Sequence, residues 1–365
     1  MTKLCVIYNM APKYRAPIFQ LMDRELDIDW YFGEPIGDIK GLDPKVLKNT
    51  NIIGRKTWRG LIWQKGTLKL LCANNYDRYL MLGEPFTLST WLFMMMRPLV
   101  APKKKIYLWS HGWYGREGVI KKWIKRCFFG LANGTFLYGN YAREVAIQQG
   151  NNPNKFGVIH NSLDYEKHKK LRESISTTSI YSDHFGNDNP TLIFIGRLTK
   201  VKKLNQVIEA VAQLKEKNEY YNIIFVGDGE ERDSLQKLSS ELDIPVWFYG
   251  SCYDEAKNAE LIHNADLCIS PGNVGLTAIH TMTFGTPVIT HSNLPNQMPE
   301  FEAIHDGKTG AFFTEDSVDS LAKVISGWFS ATNYSRENIR HNCQEEIDNY
   351  WTPQFQLNTL KQYLI

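Results

Sequence analysis

The triplet Gly196-Arg197-Leu198, followed by Lys202 and Lys203, directly succeeds the apolar run Thr191–Ile195 and precedes an amphipathic stretch. A glycine at a strand end lets the backbone turn closely, Arg197 offers a planar fork of donors, and Lys202 adds a point charge about one turn later. In an open parallel sheet such groups gather at the carboxyl ends of strands, where ligands bind. The chemistry on offer is the capture of a diphosphate. The same residues also fit a solvated basic turn, and on this segment alone the two readings stand level.

Two further constellations carry chemistry. The loop Pro271-Gly272-Asn273-Val274-Gly275 lies between an apolar run and a helical pattern reaching about Phe284, whose first amides have no partner inside the helix and offer a second anion site. Such a loop is also common packing between strand and helix, but its place opposite Arg197 and Lys202 favours a ligand. His111, in Ser110-His111-Gly112, follows the apolar run Ile106–Trp109 and would sit at a carboxyl strand end. A single histidine there is more often structural than functional. Asp27 and Asp29 have the spacing of a metal-binding pair, yet they run into Trp30-Tyr31-Phe32, and Gly227-Asp228-Gly229 lacks the third glycine of a dinucleotide fingerprint.

The elements that must position these groups are legible as alternating apolar runs and helical patterns. In the first half Leu4–Tyr8, Ile28–Phe32, Tyr79–Leu82, Ile106–Trp109, Thr135–Tyr138 and Phe156–Ile159 read as buried strands. In the second, Thr191–Ile195, Tyr221–Val226, Val246–Tyr249, Leu267–Ile269 and Pro287–Ile289 do so, separated by helical patterns such as Leu204–Lys217 and Ser234–Leu242. This alternation implies two doubly wound α/β domains, and 365 residues exceed what one core usually supports. Residues 1–165 form the first domain, the polar stretch 166–190 reads as a linker, residues 191–349 form the second domain, and residues 350–365 read as a helix returning to the first.

Composition places the chain among soluble globular proteins, with 43% hydrophobic and 22% charged residues. Six dispersed cysteines show neither disulfide nor zinc spacing, which fits a reducing compartment. No signal peptide and no spanning helix are expected. The net charge of +3 conceals an asymmetry: residues 1–160 hold 24 Lys and Arg against 11 Asp and Glu, a net of +13, which leaves −10 for the rest. In the basic half Lys103-Lys104-Lys105 and the run Lys121–Phe129 interleave cations with aromatics, as a helix lying on an anionic bilayer does. A helix with a buried aromatic face and a solvated basic one also fits and is the commoner arrangement in general. No nucleic-acid motif is present, so nucleic acid is not expected as a partner.

Five pieces in register carry a resemblance: Phe194–Leu198 with Lys202, Phe225–Gly229, Phe248-Tyr249-Gly250, Gly275-Leu276 followed by Met282 and Gly285–Ile289, and Asp306–Gly310. Together they resemble the donor domain of the retaining GT-B glycosyltransferases, family 4 or glycosyl transferases group 1. More loosely, Pro12–Pro17, Ser110-His111-Gly112 and Val158–Asn161 are similar to positions in that family's first domain. The resemblance implies a GT-B architecture, two Rossmann-like domains facing across a cleft, and transfer of a hexose-type sugar from a nucleotide-diphosphate donor, UDP by preference, without a metal and with retention. The acceptor implied is a glycan or lipid-linked molecule of bacterial surface polysaccharide synthesis, such as lipopolysaccharide or capsule, reached from the cytoplasmic side by a peripherally membrane-associated enzyme.

By the same resemblance Arg197, Lys202 and His111 are the catalytic candidates, with His111 positioning the donor sugar. Gly196, Arg197, Lys202, Tyr249, Gly250, Gly272, Asn273, Gly275, Leu276, Thr277, His280 and Glu300 are the donor-binding candidates, and Tyr14 and Arg15 hold the acceptor or another anion. The family usually carries two glutamates separated by seven residues, where this chain has Gly272 and His280. Asn273 and His280 are then expected to take the sugar and ribose contacts, with Glu300 or Glu302 supplying one lost carboxylate. A GT-B-fold nucleotide-sugar epimerase and a non-catalytic carbohydrate- or nucleotide-binding relative are the alternative readings.

Overall fold

A computed structural model describes residues 3–35, 41–331 and 335–365. The chain divides into two compact units, residues 1–164 with 352–365, and residues 165–351.

The first unit begins with β1 (Leu4–Tyr8), α1 (Ala16–Glu25), β2 (Ile28–Phe32), β3 (Thr50–Ile52) and a hairpin of β4 (Arg55–Trp58) and β5 (Leu61–Gln64). It continues through α2 (Thr67–Leu71), β6 (Arg78–Leu82), α3 (Leu88–Val100), β7 (Lys105–Ser110), α4 (Val119–Leu131), β8 (Gly134–Leu137), α5 (Asn140–Gln148) and β9 (Phe156–Val158). Seven of these strands form one parallel sheet in the order β3-β2-β1-β6-β7-β8-β9. Strands buried on both faces are apolar along their buried length, which is why β1 and the Ile106–Trp109 stretch of β7 read as continuous hydrophobic runs. Strand order reverses between β1 and β6, so the loops after them, with the loop after β7, share one end of the sheet.

The second unit opens with α6 (Tyr165–Ser174) and α7 (Ile180–Phe185), then β10 (Thr191–Ile195), α8 (Asn205–Lys215), β11 (Asn222–Val226), α9 (Arg232–Glu241), β12 (Val246–Gly250) and α10 (Glu255–Asn264). It closes with β13 (Leu267–Ser270), α11 (Leu276–Thr283), β14 (Val288–His291), β15 (Gly310–Phe313), α12 (Val318–Ser330) and α13 (Arg336–Tyr350). Its parallel sheet runs β12-β11-β10-β13-β14-β15, with the reversal between β10 and β13. The loops that begin at Gly196 and Pro271 leave the two strands at that reversal.

Two expectations need correction. Residues 166–190, read as a linker, contain α6 and α7, which pack on α10 and α11 within the second unit. Their polar surface hid two anchors, the buried His168 and Tyr181, and the Tyr181 hydroxyl donates to the carbonyl of Leu261 at 2.5 Å. The strands β3, β4, β5 and β15 were also missed. The hairpin turns on Arg59-Gly60, both at positive φ, a geometry that Asn-Gly usually signals and Arg-Gly does not.

The last helix, α14 (Pro353–Leu364), belongs to the first unit. Thr352 caps it by accepting a hydrogen bond from the Phe355 amide at 3.1 Å, and Pro353 fits the first turn because its missing N–H would have no partner there. Leu357, Leu360 and Leu364 lie on one face and pack into the core formed by Phe19, Trp30 and Trp109. Burying three leucines stabilises by about 1.5–3 kcal/mol each before entropy is counted. The C-terminal carbonyls of Leu364 and Ile365 accept from Arg78.

Candidate functional site

In the second unit the loops after β10, β11 and β13 touch backbone to backbone. A Cβ on Gly272 would stand 2.0 Å from the Val201 carbonyl oxygen, and one on Gly227 would stand 1.9 Å from that of Gly196, so both positions require glycine. Gly272 N–H donates to the Lys202 carbonyl at 3.1 Å, joining the two loops. The contact aims Lys202 at the neighbouring loop. Its Nζ donates to the Asn273 carbonyl at 2.7 Å and to Asn273 Oδ1 at 2.9 Å. Burial pulls the Lys202 pKa down, the Glu300 charge opposes that, and the Arg197 charge adds to it. Arg197, Lys202, Asn273 and Glu300 therefore form one electrostatic cluster, in which Arg197 is exposed and Glu300 buried.

Lys203 does not join it. Its Nζ lies 2.6 Å from Asp316 and 3.3 Å from Glu315, which neutralise it. The rest of the loop is fixed from outside: Gln297 Oε1 accepts from the Val274 amide at 2.9 Å, while its Nε2 donates to Thr290 Oγ1 at 2.8 Å and the His291 carbonyl at 2.9 Å. Gln297 was invisible as a site residue in the sequence, since only the fold brings it to this loop. Gly275, at φ +53°, leads into α11 without a side-chain cap, leaving first-turn amides for a ligand. Leu276 begins that helix, and Thr277 donates from Oγ1 to the Ile195 carbonyl at 3.1 Å, tying α11 to the end of β10. Tyr249 and Gly250 end β12, where the Gly250 carbonyl accepts from the Gly227 amide at 2.8 Å. His280, one turn further along α11, is brought against Glu255, its Nε2 lying 2.6 Å from Glu255 Oε1, and stacks on His168.

The first unit has its own cavity of about 330 Å³ at the carboxyl ends of β1, β6 and β7, lined by Tyr14, Arg15, Glu84, His111, Lys125 and Tyr138 among others. Arg15 is buried there, donating to Tyr8 Oη at 2.9 Å and to Tyr138 Oη, with its guanidinium 5.2 Å from the Trp109 ring centre and 5.1 Å from that of Tyr138. Tyr14 is exposed, its ring centre 5.8 Å from the same guanidinium. Among the described residues no carboxylate pairs with Arg15. Neutral hydroxyls and ring faces thus hold this buried cation in place of an ion pair.

His111 sits beside it, its ring centre 4.6 Å from that of Tyr138 and its Nδ1 buried with no hydrogen-bond partner among the described residues. Burial first, then the charges of Arg15 and Lys125, lower its pKa to about 4, so the ring is neutral at physiological pH. The loop that carries it is latched. Ser110 Oγ donates to the Gly83 carbonyl at 2.6 Å, Lys125 Nζ donates to the Gly112 carbonyl at 2.6 Å, and Glu117 accepts from the amides of Tyr114 and Gly115 at 2.8 and 2.9 Å.

Each unit is thus a doubly wound α/β body with polar groups collected at its strand-order reversal, the organisation of the GT-B glycosyltransferases. Residues 179–346 match the family model of glycosyl transferases group 1. An uncharacterized glycosyltransferase of Methanocaldococcus jannaschii is 27% identical over 210 residues, 55% of this chain and 48% of that protein. The sulfoquinovosyl transferase of Arabidopsis thaliana is 28% identical over 173 residues, 45% of this chain and 31% of that one. The chain therefore spans half or less of these curated relatives. Among solved structures, the apo lipopolysaccharide outer core galactosyltransferase WaaB superposes with a TM-score of 0.72 at 13% identity, and Anabaena HepE in complex with UDP with 0.71 at 17%. Each superposition covers 99% of both chains, and at these identities the likeness is one of fold.

Proposed function

We propose that this protein is a glycosyltransferase that moves a hexose-type sugar from a nucleotide-diphosphate donor to a glycan or lipid-linked acceptor of bacterial surface polysaccharide. The observation that carries the reading is the cluster of Arg197, Lys202 and Asn273 at the open end of the second sheet, beside the uncapped start of α11. Arg197 and Lys202 neutralise the charge that grows on the departing diphosphate as the glycosidic bond breaks, a task a metal otherwise performs. Retention of anomeric configuration and independence of added metal belong to the proposal. UDP is the first nucleotide to try, since solved structures of similar fold include a complex with UDP and one with UDP-glucose.

In the first unit Arg15 receives an anionic group of the acceptor, and His111 acts as a neutral hydrogen-bonding group that positions the sugar. The acceptor lies at an anionic membrane surface on the cytoplasmic side. Supporting this, Val119, Ile120 and Trp123 of α4 are 83%, 75% and 66% exposed beside the exposed Lys121 and Lys122, while Phe128 and Phe129 fill the core. That is an interfacial helix pattern in which aromatic and aliphatic groups enter the headgroup region and lysines meet lipid phosphate. Among the described residues no helix is long and apolar enough to cross a membrane.

The test is thermal unfolding against a panel of nucleoside diphosphates and their sugars. A ligand at a hundred times its dissociation constant raises stability by about 2.7 kcal/mol. A shift with one nucleotide, absent in Arg197→Ala, supports the donor site and names the base. No shift with any nucleotide favours the non-catalytic reading.

A further inference from the structure

Outside the diphosphate cluster, three side chains from three helices converge within the second unit. His168 of α6, Glu255 of α10 and His280 of α11 place one ligand atom each within 4.8 Å of the others. His168 Nε2 and His280 Nε2 lie 3.2 and 2.6 Å from the same oxygen, Glu255 Oε1. The two imidazoles stack at 5.2 Å between centres, with planes 26° apart, so both rings present the same edge to one carboxylate. Phe284 closes one side, its ring centre 5.6 Å from that of His168 and 5.7 Å from that of His280. His168 is buried, and its Nδ1 has no hydrogen-bond partner among the described residues, so its polar contact is on the Nε2 edge.

We propose that His168, Glu255 and His280 bind a zinc ion. With zinc–nitrogen and zinc–oxygen bonds of about 2.0–2.2 Å, a tetrahedral site separates its ligand atoms by roughly 3.3 Å; the His168 Nε2–Glu255 Oε1 distance of 3.2 Å already matches this, and the 2.6 Å hydrogen bond between His280 Nε2 and Glu255 Oε1 widens to admit the ion. Two imidazoles and one carboxylate favour zinc over magnesium or calcium, which prefer all-oxygen shells. Three protein ligands leave a fourth position for water or a small anion. The ion ties α6 and α10 to α11, the helix whose first turn faces the proposed diphosphate loop. It is a strut of the donor unit, separate from the groups that hold the diphosphate, and its existence does not depend on the transfer reaction.

The experiment uses the full chain, freed of metal by chelator and titrated with Zn²⁺ alone in competition with a chromophoric chelator; Co²⁺ is the spectroscopic probe. Expected are one equivalent bound per chain, the intense visible bands of four-coordinate Co²⁺, and a rise in melting temperature with Zn²⁺ that Mg²⁺ does not produce. Glu255→Gln and His280→Ala weaken binding by more than the roughly 10–100-fold that loss of an outer-shell partner costs. His305→Ala removes an exposed histidine paired with Glu346 and leaves binding unchanged. Far-ultraviolet circular dichroism of each variant separates lost ligands from lost fold. Absence of a stoichiometric Zn²⁺ site in the unsubstituted chain, or a site lost with His305 and kept without His280, overturns the assignment.

Discussion

Lys202 reaches across from the loop after β10 to the loop after β13, where its ammonium is held by both the carbonyl and the side-chain oxygen of Asn273. One residue thereby sets the position of the charge and stiffens the loop that starts α11. A hydrogen bond to a charged group contributes about 1.5–3 kcal/mol. Asn273→Ala, which keeps the backbone acceptor and removes Oδ1, is expected to weaken nucleotide-diphosphate binding by about tenfold, and Lys202→Met by more. Equal affinities in titration calorimetry for both variants and the parent would show that Lys202 does not touch the ligand.

Arg197 is exposed and carries no ion pair among the described residues, so its removal disturbs little of the fold. Arg197→Ala is expected to lower turnover by about 10²–10³-fold, the range for deleting one charge-stabilising donor, with melting temperature unchanged in the absence of ligand. Arg197→Lys restores only part of it, because the bidentate fork is lost. Millimolar Mg²⁺ leaves the rate unaltered; a strict requirement for it would refute leaving-group stabilisation by these two cations.

Gly272 stands where the related family usually has a glutamate, yet putting that residue back does not restore a family site. The Val201 carbonyl occupies the space a Cβ would need. Gly272→Glu is expected to lose about 1–3 kcal/mol of stability, the usual cost of forcing atoms into packed space. Chemical denaturation reads this directly, and an unchanged midpoint would mean that the two loops part easily.

Acid lowers stability in a defined window. Burial lowers the pKa values of His111, His160 and His263 to about 4, against an ordinary 6.5 in the unfolded chain. Between those values the unfolded chain binds protons that the native rings refuse. Their contribution is therefore complete above pH 6.5 and is lost as pH falls from 6.5 toward 4, by up to about 1.4 kcal/mol per pH unit for each ring. Urea midpoints at pH 7.5 and 5 test it, with a shallower slope in His111→Gln. Equal midpoints at the two pH values would contradict neutral burial.

The exposed face of α4 predicts salt-sensitive binding to vesicles containing phosphatidylglycerol and none to neutral ones. Replacing Ile120 and Trp123 with serine removes the apolar half of the contact without disturbing Phe128 and Phe129. Sedimentation with vesicles should fall several-fold. Undiminished sedimentation would leave nonspecific charge as the whole attraction.

Much of this arrangement was legible because parallel strands are buried on both faces and betray themselves as unbroken apolar runs; β1, β2 and β10 match their runs residue for residue. The loop motifs were legible because glycine is enforced by backbone contact, as at Gly272 and Gly227. The hairpin β4–β5 was not, since β4 is Arg-Lys-Thr-Trp and largely exposed, the apolar run of β5 is only Leu61–Trp63, and the turn uses an arginine at positive φ. Lys203 looked equivalent to Lys202 until Glu315 and Asp316, more than a hundred residues on, were folded against it. The cluster of His168, Glu255 and His280 was equally hidden, because His168 lies in a segment whose polarity read as a linker.

The first unit takes its final helix from the far end of the chain: Leu357, Leu360 and Leu364 complete a core that begins at Leu4. During synthesis, residues 165–351 emerge from the ribosome in full before that helix exists. The later-encoded unit can close its core first, while the earlier-encoded one waits with an apolar groove open beside α1. Loss of the last dozen residues would thus strike the opposite end of the sequence, leaving the second unit folded and exposing Phe19 and Trp30 to chaperones and proteases.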